Sequence, residues 1–524
     1  MTHSTRPALL IAATPTPNGD LHIGHLAGPY LAGDVHARYL RAAGRPVLYA
    51  TCTDDSQSYV VSTAHRRDMT PAALCAASTA AIEGSLADMA ISMPGLPPID
   101  DGYRAAVLDF VTTLHRAGRF GLRTVRLPFA LRAQRYLFDG LVSGTCPVCA
   151  SESCGGACEQ CGHPNNFDDL LDARSTTDPH DTVVYREATI LVLALEDYRE
   201  QLTAYFAERA GTWRPHATQL IAQLLDRPLP EVPVTIPGDW GIPAPFAETP
   251  GQVLYPWIEA MPASMYSTWW AARRAGAPDE AYDARWRAET GAELVYFHGF
   301  DNVYHWGLLD LVLLMAHGDR YVLPAANVCN EFYDLDGEKF STSRNHLIWA
   351  RDLLADVPRD LVRFYLALTA PERERTNFNR EALRSVTQRR LVDPWTRLAR
   401  LVAAVDASSP LATTAAARER CDALVARIRA CYELPGYSIS AAAEVIAREL
   451  ERLAGAAAPP PAGDLLLEAR TLLACAAPLL VDVADAACRA GAELALSAAP
   501  PAQMSAFTLP PLPAAATPRA ALAA

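Results

Sequence analysis

The sequence has almost no lysine: Lys339 is the only one among 46 lysines and arginines. A bias that replaces lysine by arginine wherever either serves spares a lysine only where a compact ammonium is required. Positive charge is short overall. A formal net charge of -13 excludes a general basic coat for nucleic acid and leaves room only for a local basic groove. Clean apolar runs of membrane-spanning length are missing too. The stretch 465–487 is apolar but carries Glu468, Arg470, Asp482 and Asp485, so it reads as a packed helix and no membrane is expected. No secretory leader precedes the first apolar run, which leads us to expect a cytoplasmic protein. Internal repeats are absent. The 12 cysteines are scattered except for five between Cys146 and Cys161, a clustering that in such a compartment points to metal, not disulfides. What remains is ordinary globular composition, half hydrophobic and a fifth charged, in a chain of 524 residues. That length suits two to four domains with sizeable cores.

The stretch 13–26 organises the chain. An apolar run at 8–12 reads as a short buried strand; a turn cluster, Pro15-Thr16-Pro17-Asn18-Gly19-Asp20, follows; a helical pattern then runs from 21 to 43. Strand, tight turn and helix N-terminus make an anion site, because first-turn N–H groups are unpaired and the helix dipole points at the ligand. Asp20 is the expected cap. His22 and His25, three apart, share one face, and Gly24 between them leaves room for a flat ligand. Two imidazoles over a helix N-terminus suit an oxygen-rich group such as a triphosphate. Taken alone, H-x-x-H is more often a helix start with two surface histidines.

Further along, 46–51 reads as a second buried strand ending in Cys52-Thr53-Asp54-Asp55, where open parallel sheets bind ligands. In isolation that acid pair is a turn. The cysteines follow the pattern C-x2-C, eight residues, C-x2-C: Cys146, Cys149, Cys158 and Cys161. Four thiolates at that spacing suit one tetrahedral Zn2+ with no open position, hence a structural metal, with Cys154 and His163 spare. Strand, Gly299 and Asp301 form another strand-end acid. The lone lysine lies in Asp336-Gly337-Glu338-Lys339-Phe340-Ser341-Thr342-Ser343-Arg344. Four helical stretches follow, 380–405, 415–431, 440–455 and 464–490, and an Ala/Pro-rich tail, 499–524, is expected to be disordered.

Pro15-x-Pro17-Asn18-Gly19-x-x-His22-Ile23-Gly24-His25 after a first strand resembles the HIGH signature of class I aminoacyl-tRNA synthetases. The Lys339 segment resembles their second signature, K-M-S-K-S, with Thr342 in place of the second lysine. Gly144-Thr145-Cys146-Pro147-x-Cys149 and the cysteine insertion are similar to the knuckle of methionyl-tRNA synthetases, and the likeness runs from residue 8 to about 490. It implies an α/β fold: a Rossmann-type parallel sheet in two halves (1–115 and 231–325), split by a connective insertion with a zinc knuckle (116–230). A loop and connecting region (326–375) and an all-α bundle (376–498) follow. The implied substrates are an amino acid and ATP with Mg2+, joined as aminoacyl-AMP. His22, His25 and Lys339 become the catalytic donors. Gly24, Asp301, Ser341 and Ser343 join them around ATP, with Asp301 on the ribose. Asp54 becomes the α-ammonium binder, and Thr14, Thr16, Trp257, Ala260, Asn302 and Trp306 line the amino-acid site.

Three functions compete on this reading: a methionyl-tRNA synthetase, a paralogue that activates an amino acid for a small-molecule or carrier acceptor, and a non-catalytic relative. Ser56-Gln57 replaces the family's His-Gly after Asp55, and Thr342 removes a lysine, which weighs against the first. Intact His22, His25, Asp301 and Lys339 weigh against the third. Related synthetase-like proteins serve specialised metabolism, some in nitrogen–nitrogen bond assembly with a cupin partner, so the resemblance admits a cupin-type partner as well as tRNA. At the family's thioether pocket stand Thr14, Thr16, Met261, Ser264, Asn302, Trp306, Leu309 and Asp310, which predicts a small or polar amino acid in place of methionine. At its anticodon-reading positions stand Asp393, Arg397, Glu451, Leu453 and Pro460, which predicts lost anticodon recognition.

Overall fold

Four parallel strands carry the site, in the order Ala326–Asn330, Glu293–Gly299, Ala8–Ala12, Val47–Ala50. Leu10 pairs with Val295 on one side and Tyr49 on the other. The strands read as continuous apolar runs because both faces are covered. Leu10, Val295 and Phe297 pack into one core, while Leu9, Ile11, Leu294 and Tyr296 pack into a second on the opposite face. Parallel strands bring their C-terminal ends to one edge, so the loops after Ala12, Ala50, Gly299 and Asn330 meet there. This computed structural model describes residues 6–209, 211–340, 346–406, 408–456, 459–496 and 499–515.

The helix expected over 21–43 is present with a fault in its middle. Ile23–His25 leads into a widened turn, Leu26–Tyr30, and then Leu31–Ala42. Pro29 has no N–H to continue the ladder, and Gly28 leaves helical geometry at ψ -116. Downstream, Gly33 lets the helix meet the sheet: a Cβ there would lie 2.4 Å from the Tyr49 hydroxyl, which donates to Tyr30 O at 2.8 Å. Asp20 is not the helix cap. Its Oδ1 accepts from Leu21 N and Ser85 Oγ, and His22 itself caps, its Nδ1 accepting from His25 N at 3.4 Å.

The insertion builds its own antiparallel sheet on the long ribbon Gly121–Ala130 and Val183–Ala194, extended by Glu231–Pro233. It therefore runs slightly past 230. A second small sheet, Val142–Thr145 with Glu152–Cys154 and Leu171–Ser175, presents the cysteine turns. Strand Thr376–Phe378 pairs with Tyr333–Leu335, so those residues belong with the lysine segment and the bundle begins at Arg380.

Two expectations for the bundle need correction. The stretch 464–490 is two helices, Ala462–Ala476 and Val481–Arg489, because Pro478 interrupts the ladder. The tail is ordered well beyond residue 499: Gln503–Met504 pairs with Leu411–Ala412, and Met504, Leu509 and Leu512 are buried. Trp395 Nε1 donates to Pro510 O at 2.9 Å. Ala/Pro content concealed three well-placed apolar side chains. Bundle and sheet are joined by Arg363, fully buried, which donates to Asp34 Oδ2 at 2.6 Å and to Pro478 O and Leu479 O.

Candidate active site

The loops at the sheet's C-terminal edge enclose a cavity of about 820 Å³. At one end stand His22 and His25, their rings stacked with centroids 3.7 Å apart. Phe340 stacks on His22 at 4.8 Å. A Cβ on Gly24 would come within 3.0 Å of the His22 ring and 3.3 Å of Phe340, so only glycine leaves this stack undisturbed. Crowding in the cleft, then the charges of His25 and Lys339, pushes His22 well down; His25, although its side chain is open to solvent, is pushed down by the surrounding cleft walls and by Lys339. Both imidazoles are therefore neutral at pH 7, each offering one N–H and one acceptor nitrogen.

Asp301 follows the strand Glu293–Gly299, and Asn302 Nδ2 donates to its Oδ1 at 3.0 Å. Gly299 makes that position accessible, since a Cβ there would sit 2.7 Å from Asp301 Oδ1. Burial and the carboxylate of Glu159 raise the Asp301 pKa, while Lys339 opposes them. Lys339 lines the same cavity, its Nζ 4.8 Å from the centre of the Phe332 ring and ion-paired with Glu159. Ser341, Thr342, Ser343 and Arg344 lie outside the described residues.

At the other end are Thr14, Thr16, Asp54, Trp257, Asn302 and His305. Asp54 N donates to Pro15 O at 3.1 Å, which ties the loops after the first two strands together. Burial, and then the charge of Glu259, pushes the Asp54 pKa well up. Trp257 and His305 form part of the wall here, stacked face to face at 3.5 Å and 4°. Ala260, Met261, Ser264, Trp306, Leu309 and Asp310 do not line the cavity. Trp306, 1% exposed, stands edge-on to Tyr296 in the core, and Ser264 Oγ turns back to Ala260 O at 2.9 Å. Of the expected amino-acid-site residues, Ala260 and Trp306 thus lie behind the wall.

Sequence reasoning missed His305, Gln57 and Glu159, all on the cavity wall. His305 lies three residues beyond Asn302 in a helical stretch, a spacing that put both on one face. Gln57 lies three beyond Asp54. Glu159, between two zinc-ligand candidates, gave no sequence signal, because its position depends on how the insertion docks.

The four cysteines expected as ligands do converge: Cys146, Cys149, Cys158 and Cys161 bring their sulfurs within 4.8 Å of one another. Cys146 and Cys161 Sγ are 3.8 Å apart, Cys149 and Cys158 Sγ 3.6 Å. A tetrahedron with Zn–S of about 2.3 Å has edges of about 3.8 Å, so the set fits one Zn2+. Cys154 and His163 are not part of it. The two turns match: Ala150 N donates to Cys146 O at 3.0 Å and Gly162 N to Cys158 O at 2.7 Å.

Among known proteins, the family described as tRNA synthetases class I (M) matches residues 8–402. The methionine–tRNA ligase of Flavobacterium johnsoniae is 32% identical over 384 residues, covering 72% of this chain and 53% of that protein. That of Salinibacter ruber is 33% identical over 394 residues, covering 72% and 54%. The chain spans about half the length of these curated relatives. In structure it resembles Mycobacterium tuberculosis methionyl-tRNA synthetase in complex with methionyl-adenylate, with a TM-score of 0.74 at 19% identity over 98% of this chain and 100% of that one. The apo form of the same synthetase gives 0.66 at 17% identity, over 99% of each chain. These likenesses establish the fold, and with the match over residues 8–402 the chain belongs to the class I tRNA synthetase (M) family.

Proposed function

We propose that the chain activates a small amino acid with Mg-ATP and passes the aminoacyl group to an acceptor other than tRNA. An amino-acid carboxylate oxygen attacks the α-phosphorus, the bond to the bridging oxygen breaks, and pyrophosphate leaves. The acceptor's nucleophile then attacks the aminoacyl carbonyl and AMP departs. In the first step charge builds on the phosphates, where the neutral N–H groups of His22 and His25 and the Lys339 ammonium act as fixed donors. Asp301 receives the ribose hydroxyls, Asp54 the α-ammonium, and Ser341 and Ser343 complete the ATP site from the second signature. Mg2+ arrives with ATP and offsets its charge. Zn2+ on Cys146, Cys149, Cys158 and Cys161 holds the knuckle shape and leaves no ligand position for substrate.

The observation that carries the small amino acid is the Trp257–His305 stack in the cavity wall, with Met261, Ser264, Trp306, Leu309 and Asp310 off that wall. A long thioether would have to open that stack. The acceptor reading is supported by the bundle, where Leu453 is buried and Trp395, Tyr432 and Tyr437 are buried too, leaving none of them to stack on a base. A second reading, methionine charged onto tRNA, is favoured by the relatives' names. Pyrophosphate exchange across the amino acids separates the two: a small substrate supports the proposal, and methionine ahead of glycine and serine by about tenfold (1.4 kcal/mol) overturns it.

A further inference from the structure

We infer that His305, with Asn302 and Gln57 beside it, reads an uncharged hydrogen-bonding group, a hydroxyl or carboxamide, on the side chain of the activated amino acid. This rests on the amino-acid-activation reading above and narrows its substrate. His305 and Gln57 are each 1% exposed and line the cavity. Neither ring nitrogen of His305 has a hydrogen-bond partner among the described residues, while Gln57 faces the Asp54 carboxyl and the Trp257 indole faces Asp139. Leaving such groups unpaired in a buried site is unfavourable, so they favour a ligand that pairs with them. His298, by contrast, has partners on both nitrogens. His298 reaches Gly299 O with Nδ1 at 2.9 Å and Asn327 Oδ1 with Nε2 at 3.0 Å.

The stack on Trp257, 3.5 Å and 4°, fixes the plane of the His305 ring, so its nitrogens cannot turn away to find other partners. The donors and acceptors then choose the ligand. Neutral His305 supplies one N–H and one acceptor nitrogen, and Gln57, beside Asp54, an NH2 and a carbonyl. A hydroxyl or a carboxamide both gives and takes hydrogen bonds and can satisfy such a set. A carboxylate can only accept, so it would leave the acceptor nitrogen of His305 and the Gln57 carbonyl unpaired, and it would stand beside Asp54. A methyl or a hydrogen pairs with none of it. Sites built to hydrogen-bond a substrate group reject the analogue lacking it by orders of magnitude.

The test is pyrophosphate exchange by the zinc-loaded full chain with glycine, alanine, serine, asparagine, aspartate and methionine, ranked by kcat/KM. Serine or asparagine is expected to exceed alanine at least tenfold. His305→Phe, which keeps a flat ring on Trp257 and removes both nitrogens, should bring that ratio near one. If alanine or glycine equals the polar pair, the nitrogens hold only water; this inference fails and the small-pocket reading stands. Aspartate as best substrate also overturns it, as does an unchanged serine-to-alanine ratio in His305→Phe. Should that variant not fold, the wild-type ranking decides. Methionine as best substrate, or exchange with no amino acid, overturns both readings.

Discussion

Lys339, the only lysine of the chain, is ion-paired with Glu159, a knuckle residue 180 positions earlier that lies between Cys158 and Cys161. The ammonium proposed to meet the triphosphate is thus held by a carboxylate whose position depends on the cysteine turns. Glu159 also raises the pKa of Asp301, so it adds negative charge where a nucleotide would enter. ATP must displace Glu159 from Lys339. The two side chains are 35% and 59% exposed, which places the pair in the range of surface salt bridges, about 0–1 kcal/mol.

Glu159→Gln is therefore expected to lower the KM for ATP about two- to fivefold, the equivalent of that energy, with little change in kcat. Lys339→Arg should cut adenylate formation tenfold or more, because a planar guanidinium does not replace a point charge at the phosphates. Steady-state exchange kinetics over an ATP series measure both. Wild-type rates in Lys339→Arg would make the lone lysine a relic of composition.

One equivalent of zinc per chain is expected in protein purified without chelators, measured by elemental analysis. Cys149→Ser should lower metal content and thermal stability of the insertion more than it lowers kcat, since folding and metal binding are coupled at such sites. Metal-free protein of unchanged stability would count against a Zn2+ site.

Much of this was legible in the sequence, and the reasons differ by element. The strand at 8–12, the turn after it and His22 and His25 were readable because apolar runs and turn residues act locally. Cysteine spacing was readable because zinc geometry tolerates few patterns. The helix cap was misread because Asp20 finds Ser85, a partner 65 residues away. Order in the tail was hidden because Met504, Leu509 and Leu512 owe their burial to the bundle they meet, not to local propensity. The stacking of His305 on Trp257, and the reach of Glu159 to Lys339, join residues far apart in the chain. Nothing in the local sequence encodes either.

The contribution of Glu259 to stability should fall as pH rises from about 5 to 8, opposite in sign to that of the histidines held below their ordinary value. This side chain is 2% exposed. Burial above all pushes it up to about 7, against hydrogen bonds from Ser56 and from Tyr103, whose hydroxyl donates to it at 2.7 Å. The native state then holds the proton more tightly than the unfolded state, so the stabilising term is complete below the ordinary glutamate range. It is lost as pH climbs through 7. The size is on the order of 3 kcal/mol. Asp139, likewise raised to about 7 by burial, acts in the same direction. Glu259→Gln keeps an acceptor for Tyr103 and should flatten the decline, with Tm at pH 8 rising relative to wild type. Urea titrations at pH 5, 6.5 and 8 would show it, and equal pH slopes in the two proteins would rule out a titrating Glu259.

Charging of methionine tRNAs is expected to be inefficient. Reading an anticodon requires exposed rings and amide groups, each base stack being worth about 1–3 kcal/mol. Trp395 is buried and bonded to Pro510 O, Tyr432 and Tyr437 are buried, and Leu453 occupies core at a position expected to stack. Asp393 is exposed and accepts from Gln388 at 2.6 Å, and Glu451 lies 3.6 Å from Arg390. On the expected alignment both put carboxylates where the family carries an amide, and a carboxylate repels nucleic-acid phosphates. Loss of two stacks alone would weaken binding by roughly 2–6 kcal/mol, enough to separate this chain from a tRNA-charging relative at any ordinary enzyme concentration. Aminoacylation of initiator and elongator methionine tRNAs, together with gel-shift titration at fixed salt, measures it. Charging of either tRNA at rates matching amino-acid activation would show that the bundle reads tRNA through other residues and would return methionine–tRNA ligation as the function.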